Sequence, residues 1–544
     1  MRKNFLFVIV LAVSALLFLI YDFYQPSLLL DQFKTLFLPK AAFLDVYKTS
    51  GIHVETPVAG AAWADYDNDG YLDLLLVGPR QTYLYKNKGD GTFIDVTSKA
   101  FGGDLPGGFV SGFFGDYDND GCSDLFLVGY GPYVDNRLYH NNCNGTFTDV
   151  TKSSGIKKVS SNGFGAAWAD YDNDGYLDLY VANYGGLGPN DSKQVYSYEP
   201  NQLYHNNGNG TFTEVAQKAG VSGLTNCRVY NKTITENAPP KSWLYKESLQ
   251  PIWFDFNNDG KIDLFIATDA GISPLYKNNG DGTFTEVTKD TGLCKEGTGM
   301  GVAVGDWNNS GNRDIYVTNV GVNYLWHNKG DGTFLEFGAE AKVADQRTIG
   351  WGANFFDFNN DGNLDLYTTN GTVLVRDENG DPGVGKIMLD KLYKNNGKGT
   401  FVDVAADNGI AGDYSKGAAA FGDFNNDGFV DFVVLPNYAS QDRRIKLYKN
   451  QSSGHDWLTI KLIGTKSNRD AVGARITLKS SGKIQTREVI SGSSFLSQNS
   501  LWQTFGLGKS SKADEVEIKW PSGRITKLQS VKSNQILTIT EPKN

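Results

Sequence analysis

The nonapeptide D-x-[DN]-x-[DS]-G-x-x-D occurs seven times in this 544-residue chain. Copies begin at Asp65, Asp116, Asp170, Asp255, Asp306, Asp357 and Asp423, so successive starts lie 51, 54, 85, 51, 51 and 66 residues apart. Two copies sit within an identical fifteen-residue stretch, GAAWADYDNDGYLDL, at 60–74 and 165–179. A period near 51 residues, with insertions after the third and sixth copies, makes the chain a repeat array.

Each unit has the same internal order. A small-residue apolar segment (GAAWAD, VSGFFGD, GMGVAVGD) leads into the aspartate loop, and a second apolar run (LDLLLVG, SDLFLVG, IDLFIAT) leaves it. A piece such as YLYKNKGDG or RLYHNNCNG follows, and then GTFxxV. These are four strand-length segments separated by Gly/Asn/Asp turns, with no helical period between them. The reading is all-β: a seven-bladed β-propeller spanning 42–452. The seventh unit ends in RIKLYKNQSSGHDW and lacks its GTFxxV strand, whereas AFLDVYKTSGI at 42–52 resembles TFTDVTKSSGI at 146–156. Residues 42–47 are therefore expected to supply the outer strand of the last blade and close the ring.

In the nonapeptide, positions one, three, five and nine offer side-chain oxygens, and position seven offers a backbone carbonyl. Hard oxygens at alternate positions around a turn-forming glycine suit Ca²⁺, and Mg²⁺ takes fewer protein ligands. The candidate ligands are Asp65, Asp67, Asp69, Tyr71 and Asp73; Asp116, Asp118, Asp120, Cys122 and Asp124; and Asp170, Asp172, Asp174, Tyr176 and Asp178. They continue as Asp255, Asn257, Asp259, Lys261 and Asp263; Asp306, Asn308, Ser310 and Asp314; Asp357, Asn359, Asp361, Asn363 and Asp365; and Asp423, Asn425, Asp427, Phe429 and Asp431. Turn preference alone explains one such loop, but not acids at positions one and nine in all seven. Up to seven Ca²⁺ sites are expected, the weakest in the loop from Asp306, which keeps two carboxylates. The net charge of −10 comes from these loops, whose 23 aspartates exceed it, and argues against nucleic acid as a partner.

Arg2 and Lys3 precede an uncharged apolar run from Phe5 to Tyr21. As a helix it would be about 26 Å long, near the short limit for a bilayer. No small-residue cleavage site follows it. Residues 1–24 therefore read as a signal anchor and 25–41 as a juxtamembrane linker. Positive charge on the inner side puts the body outside the cytoplasm, periplasmic or extracellular. The alternative is secretion after signal cleavage. Four cysteines in an exported chain allow three pairings into two disulfides. Cys122 and Cys143 fall within one unit, and Cys227 could pin the first insertion to Cys294.

The small-residue segment leading into D-x-D-x-D-G-x-x-D resembles the FG-GAP or VCBS repeats of integrin α-chain propellers, which carry Ca²⁺ in such loops. The C-terminal stretch, roughly 456–541, looks like an ASPIC/UnbV domain at NRDAVGAR, SGSSFLSQN, FGLG and WPSG. Its alternating segments (LTIKLIG, RITLKS, VEIKW) read as a small, separate all-β domain. Together they resemble the cartilage acidic protein 1 family and its bacterial relatives. That implies an exported, calcium-binding, adhesive or matrix-associated protein with a protein or glycan partner, and no known enzyme activity.

Nothing in the sequence assembles a catalytic group. His140, His205 and His327 in LYHNN and LWHNK occupy a slot that holds Lys86, Lys277, Lys394 and Lys449 elsewhere, and read as blade-surface residues. Ser493 and Ser494 have no local base and read as a turn; Trp63 and Trp168 read as packing residues. The expected function is a non-catalytic binding or adhesion module. The alternative is a lectin or enzyme using the funnel of the ring or the insertions at 216–250 and 371–390.

Overall fold

The structure is a computed structural model. It describes residues 42–543 except 132–133, 157–162, 185, 188–195, 198–199, 224–226, 228–246, 270, 347, 372–387, 411–413 and 438–442. The expected anchor and linker, and most of the two insertions, lie outside these residues. Among the described residues no helix is long and apolar enough to cross a membrane.

Each of the seven repeats forms a four-stranded antiparallel sheet. In sheet one the strands are Gly60–Ala64, Asp73–Val77, Gln81–Asn87 and Phe93–Asp95, paired in chain order. Sheets two to six repeat that order, and a short pairing of Val320–Gly321 with Thr348–Ile349 joins sheets five and six. In sheet seven, Lys416–Gly422, Asp431–Pro436 and Lys446–Asn450 are followed by Phe43–Asp45 as the fourth strand, with Phe43 opposite Asn450 and Asp45 opposite Tyr448. The first strands pack against one another in chain order, and the first strand of sheet one packs against that of sheet seven. The repeats thus form a ring with the small-residue strands at its centre.

Aromatic side chains fill the clefts between neighbouring sheets. Trp63, 1% exposed, stacks on Phe424 of sheet seven, and Trp168, 0% exposed, lies against Phe126 of sheet two. Burying rings of this size on both faces of every sheet is the main apolar contribution to the fold.

A polar circuit runs alongside that core. The asparagine ending each third strand donates through Nδ2 to the backbone carbonyl at loop position two of the preceding sheet. Asn141 reaches Tyr66 at 2.8 Å, Asn206 reaches Tyr117 at 2.8 Å and Asn278 reaches Tyr171 at 2.7 Å. Asn328 reaches Phe256 at 2.7 Å, Asn395 reaches Trp307 at 2.8 Å and Asn450 reaches Phe358 at 2.8 Å. Asn87 reaches Phe424 at 2.7 Å and closes the circle from sheet one to sheet seven.

Short helical turns follow several outer strands, at Thr97–Phe101, Thr151–Ser154 and Ala216–Ala219, where the sequence pattern has no helix. One turn is too short to register a helical period. Each begins where an acid of GTFxxV accepts a backbone N–H, as Asp95 does from Thr97 at 2.9 Å.

The C-terminal residues form two sheets. Asp456–Ile463 lies between Gln503–Gly508 and Gln535–Thr540, and Arg475–Ser480 lies between Lys483–Glu488 and Lys512–Lys519, with Ile525–Lys532 at the edge. They are not a separate appendage, since residues 43–544 make one compact unit. The SGSSFLSQN segment is more than a turn: it enters the middle of the ring. Ser497–Gln498 pairs in parallel with Ala61–Ala62 of sheet one, and Ser494 bridges Val302 of sheet five. Gln498 exchanges bonds with the Phe114 backbone of sheet two, and Phe495 packs on Trp351 of sheet six. Gly60 makes this close approach feasible, because a Cβ there would stand 2.4 Å from Val110 O and 2.6 Å from Leu496 O.

Candidate metal centres

The seven aspartate loops join the first and second strands of their sheets. Asparagine at position four adopts the left-handed conformation in every copy, from φ 56° at Asn309 and Asn360 to 62° at Asn119. Asn is among the few residues that accept this region, and the glycine at position six is left-handed as well. The resulting turn folds the acids inward. The position-one carboxylate accepts the N–H of that glycine: Asp116 from Gly121 at 2.8 Å, Asp357 from Gly362 at 2.7 Å, Asp423 from Gly428 at 2.7 Å. The position-five carboxylate accepts the N–H of position seven, as Asp174 does from Tyr176 at 2.9 Å.

Position nine is the anchor. Asp178 accepts the N–H of Tyr171 at 3.1 Å on one oxygen and that of Asn206 at 2.8 Å on the other, and the pattern recurs at Asp73, Asp124, Asp263, Asp365 and Asp431; Asp314 keeps only the third-strand bond, from Asn328. In six of the seven loops this aspartate holds loop, second strand and third strand together.

The structure brings Asp65, Asp67 and Asp73 together, and likewise Asp116, Asp118 and Asp124, with one oxygen from each within 4.8 Å of the others. Position seven can contribute only through its carbonyl; Cys122, at that position in loop two, is bonded to Cys143 with Cα atoms 5.6 Å apart. Cys227 is bonded to Cys294, their Cα atoms 5.9 Å apart. In loop five the Asp306 carboxylate takes the N–H groups of Ser310 and Gly311 at 2.7 and 2.8 Å.

Burial drives these acids toward protonation. It pushes Asp73, Asp116 and Asp170 up to about 8, with neighbouring carboxylates adding to the shift. Asp124, Asp178, Asp357 and Asp423 rise to about 7 for the same leading reason. Asp263, Asp365 and Asp431 are raised well above the usual range. Carboxylates crowded at low dielectric are stabilised as anions by a cation, so the donor set fits an oxygen-seeking divalent ion.

The Lys/His slot of the third strand is partly exposed, as expected of the blade surface, and it also borders the loop. That strand ends beside the loop, so its penultimate side chain lies over the acids. Lys86 pairs with Asp67 and, at 3.0 Å, with Asp69. His140 Nδ1 stands 3.2 Å from Asp118 and 3.1 Å from Asp124; His205 Nδ1 stands 3.3 Å from both Asp172 and Asp178. His327 Nδ1 stands 2.8 Å from Asp314.

The C-terminal domain rests on this same loop face. Lys461 meets Asp65 at 3.0 Å, Asp470 accepts the Asp116 N–H at 2.8 Å, and Glu488 accepts the Asp255 N–H at 3.0 Å. Arg475 donates to Gly311 O at 2.9 Å and Lys483 to Asp361 O at 2.9 Å. Trp457 lies directly on Gly428, where a side chain would collide with the indole. A buried ion pair, Arg313–Glu488 at 3.0 Å with both side chains 2% exposed, joins loop five to this domain. A cavity of about 130 Å³ remains between ring and domain, lined by Asp306, Asp357, Asp423 and Arg487 among others.

The loops and their flanking strands match the family model for the FG-GAP-like repeat at residues 65–127, 116–181, 255–317, 306–368 and 373–434. The chain is an FG-GAP repeat protein. Its C-terminal residues 464–544 match the ASPIC and UnbV model, in agreement with the expected domain pair. This FG-GAP protein is 24% identical to human cartilage acidic protein 1 over 89% of its own length and 72% of the relative's. It is 26% identical to the Xenopus tropicalis protein of that name, over 89% and 73%. Among solved structures it is similar to an Agrocybe aegerita lectin described as recognising non-reducing terminal N-acetylglucosamine, with a TM-score of 0.38 and 18% identity over 66% of this chain and 82% of that one. At that level the likeness carries nothing about ligands.

Proposed function

We propose that this FG-GAP protein is an exported, membrane-anchored, seven-bladed propeller, that its loops hold Ca²⁺, and that it acts as a non-catalytic binding or adhesion module. The observation that carries the reading is the loop chemistry: seven copies of one turn, with carboxylates at positions one and nine that are buried in every copy except the partly exposed Asp255, in a ring closed by the Asn87–Phe424 bond. Ions in these loops would neutralise the face on which the C-terminal domain rests, so Ca²⁺ would stiffen ring and domain together. Two disulfides support an oxidising, extracytoplasmic setting. Anchoring rests on the apolar run from Phe5 to Tyr21 alone. The non-catalytic reading is supported by the histidines, which pair with loop carboxylates on separate sheets instead of meeting in one site.

The test is binding of the purified chain to immobilised glycans and extracellular-matrix proteins, in Ca²⁺ and in EDTA. Retention on one ligand class that disappears in EDTA is expected. Absence of binding in both conditions, together with turnover abolished by one pocket substitution, would favour the enzyme alternative.

A further inference from the structure

We propose that an open groove between sheets five and six and the C-terminal domain binds an acidic saccharide, a sugar chain carrying carboxylate or sulfate groups. This rests on the reading of the protein as a binding module and names the ligand class and its place.

The groove encloses about 620 Å³, within the range of roughly 300–1,000 Å³ usual for small-ligand clefts. Three walls meet there. The loop from Asp306 supplies Trp307 and Asn308, sheet six supplies the hairpin at 395–399 with Lys398, and the C-terminal domain supplies the hairpin at 481–484 with Lys483. The site exists only because the domain rests on the loop face.

The acids typical of that face are missing here. Asn308 and Ser310 stand where loops one to three carry aspartate at positions three and five. Lys398 stands in the hairpin slot that holds Asp90, Asp281 and Asp331 in sheets one, four and five. Among the described residues no carboxylate lines the groove.

What lines it instead is rich in donors. Lys398 is exposed and its Nζ bonds nothing among the described residues; Asn308 Nδ2 and Ser481 Oγ are likewise exposed and unbonded. Lys483 Nζ donates to Asp361 O at 2.9 Å and to Asn363 Oδ1 at 3.0 Å, neutral acceptors that hold the ammonium in place without cancelling its charge. Trp307 is 3% exposed and its Nε1 has no acceptor, although a buried indole N–H ordinarily finds one. Two ammoniums with amide, hydroxyl and indole donors call for an acceptor-rich anion. Ile484, 48% exposed, adds an apolar patch suited to the C–H face of a sugar ring. An acidic saccharide combines that face with hydroxyls and an anionic group. The net charge of −10 repels an anion over most of the surface, so the two lysines set where it is held.

The test is titration calorimetry on the full chain in Ca²⁺ with three probes: oligogalacturonate, heparin-derived oligosaccharide and neutral dextran oligosaccharide. Binding of one or both acidic probes is expected, which tells carboxylate from sulfate, with dextran weaker by roughly tenfold or more. Lys398→Asp installs the residue of sheets one, four and five at an exposed position. It should lower affinity for the acidic probe by roughly tenfold or more at an unchanged melting temperature. Lys218→Asp, the same charge change on the exposed turn after the outer strand of sheet three, should leave affinity as it is. Acidic-probe binding indifferent to Lys398, equal losses in the two variants, or dextran binding as tightly as the acids would overturn the groove and leave the binding-module reading standing. No saccharide bound, with retention on a matrix protein, would overturn the saccharide class alone. No ligand of any kind bound would overturn both.

Discussion

Asn206→Ala tests the polar circuit of the ring. Asn206 is 1% exposed and its side chain makes three bonds: to Tyr117 O of sheet two at 2.8 Å, to Leu177 O at 3.0 Å, and from Gly208 N–H at 3.0 Å. Alanine strands two buried carbonyls and frees an N–H. Each orphaned buried carbonyl costs about 1–3 kcal/mol, while the Gly208 N–H lies at the surface and turns to water, so a loss of roughly 2–4 kcal/mol is expected. The neighbouring Asn207 is the control. Its side chain bonds only Thr211 and Thr213 of the same exposed hairpin, so Asn207→Ala should stay within about 0.5 kcal/mol. Thermal melts of the two variants in Ca²⁺ decide: Asn206→Ala should fall by several degrees while Asn207→Ala melts with the parent. Equal shifts, or a neutral Asn206→Ala, would refute the circuit as a source of stability.

Asp170→Ala should lower the melting temperature in Ca²⁺ more than Asp306→Ala, because loop three loses one of four carboxylates from a full set and loop five starts with two. In EDTA the pH dependence should follow the raised carboxyls. Asp73, Asp116 and Asp170 titrate at about 8 when folded, above the unfolded value near 3.8, so the ion-free folded chain holds more protons. Its stability is therefore fullest below about pH 4 as far as these groups go, and is lost as pH rises toward 8; Ca²⁺ should open the widest gap in melting temperature at the alkaline end, where it displaces no protons. Gly60→Ala should destabilise by about 1–3 kcal/mol, since the methyl meets two backbone carbonyls, and should speed proteolysis at 489–502.

Much of the fold could be read from the chain. The four-segment unit and its sevenfold repetition correspond to the seven sheets, because period-two strands between Gly/Asn turns leave a local imprint. The outer strand of the last sheet could be placed from the likeness of 42–52 to 146–156 alone. The acids at positions one and nine also stood out, although the double hydrogen bonding of Asp178 gives position nine a folding role besides any metal. Other features leave no local imprint. Asn87, Asn141 and their equivalents are plain in LYKN and LYHN, but their partners lie one sheet away, so nothing nearby marks them as ring links. The acid partners of His140 and His205 are hidden for a related reason: strand alternation gives a face, and not what an adjacent loop brings over that face. The docking of Lys461, Glu488 and Lys483 on the loops spans hundreds of residues, and the burial of SGSSFLSQN inside the ring depends on a channel that exists only once all seven sheets have closed.

The central claim is that the seven loops hold Ca²⁺ and that the ring depends on it. The most direct measurement is elemental analysis of the purified chain after dialysis, with melting recorded before and after EDTA. A site held at a hundred times its Kd adds about 2.7 kcal/mol, so several Ca²⁺ per chain and a large fall in melting temperature on chelation are expected. No calcium in the chain and no change in melting with EDTA would contradict the account.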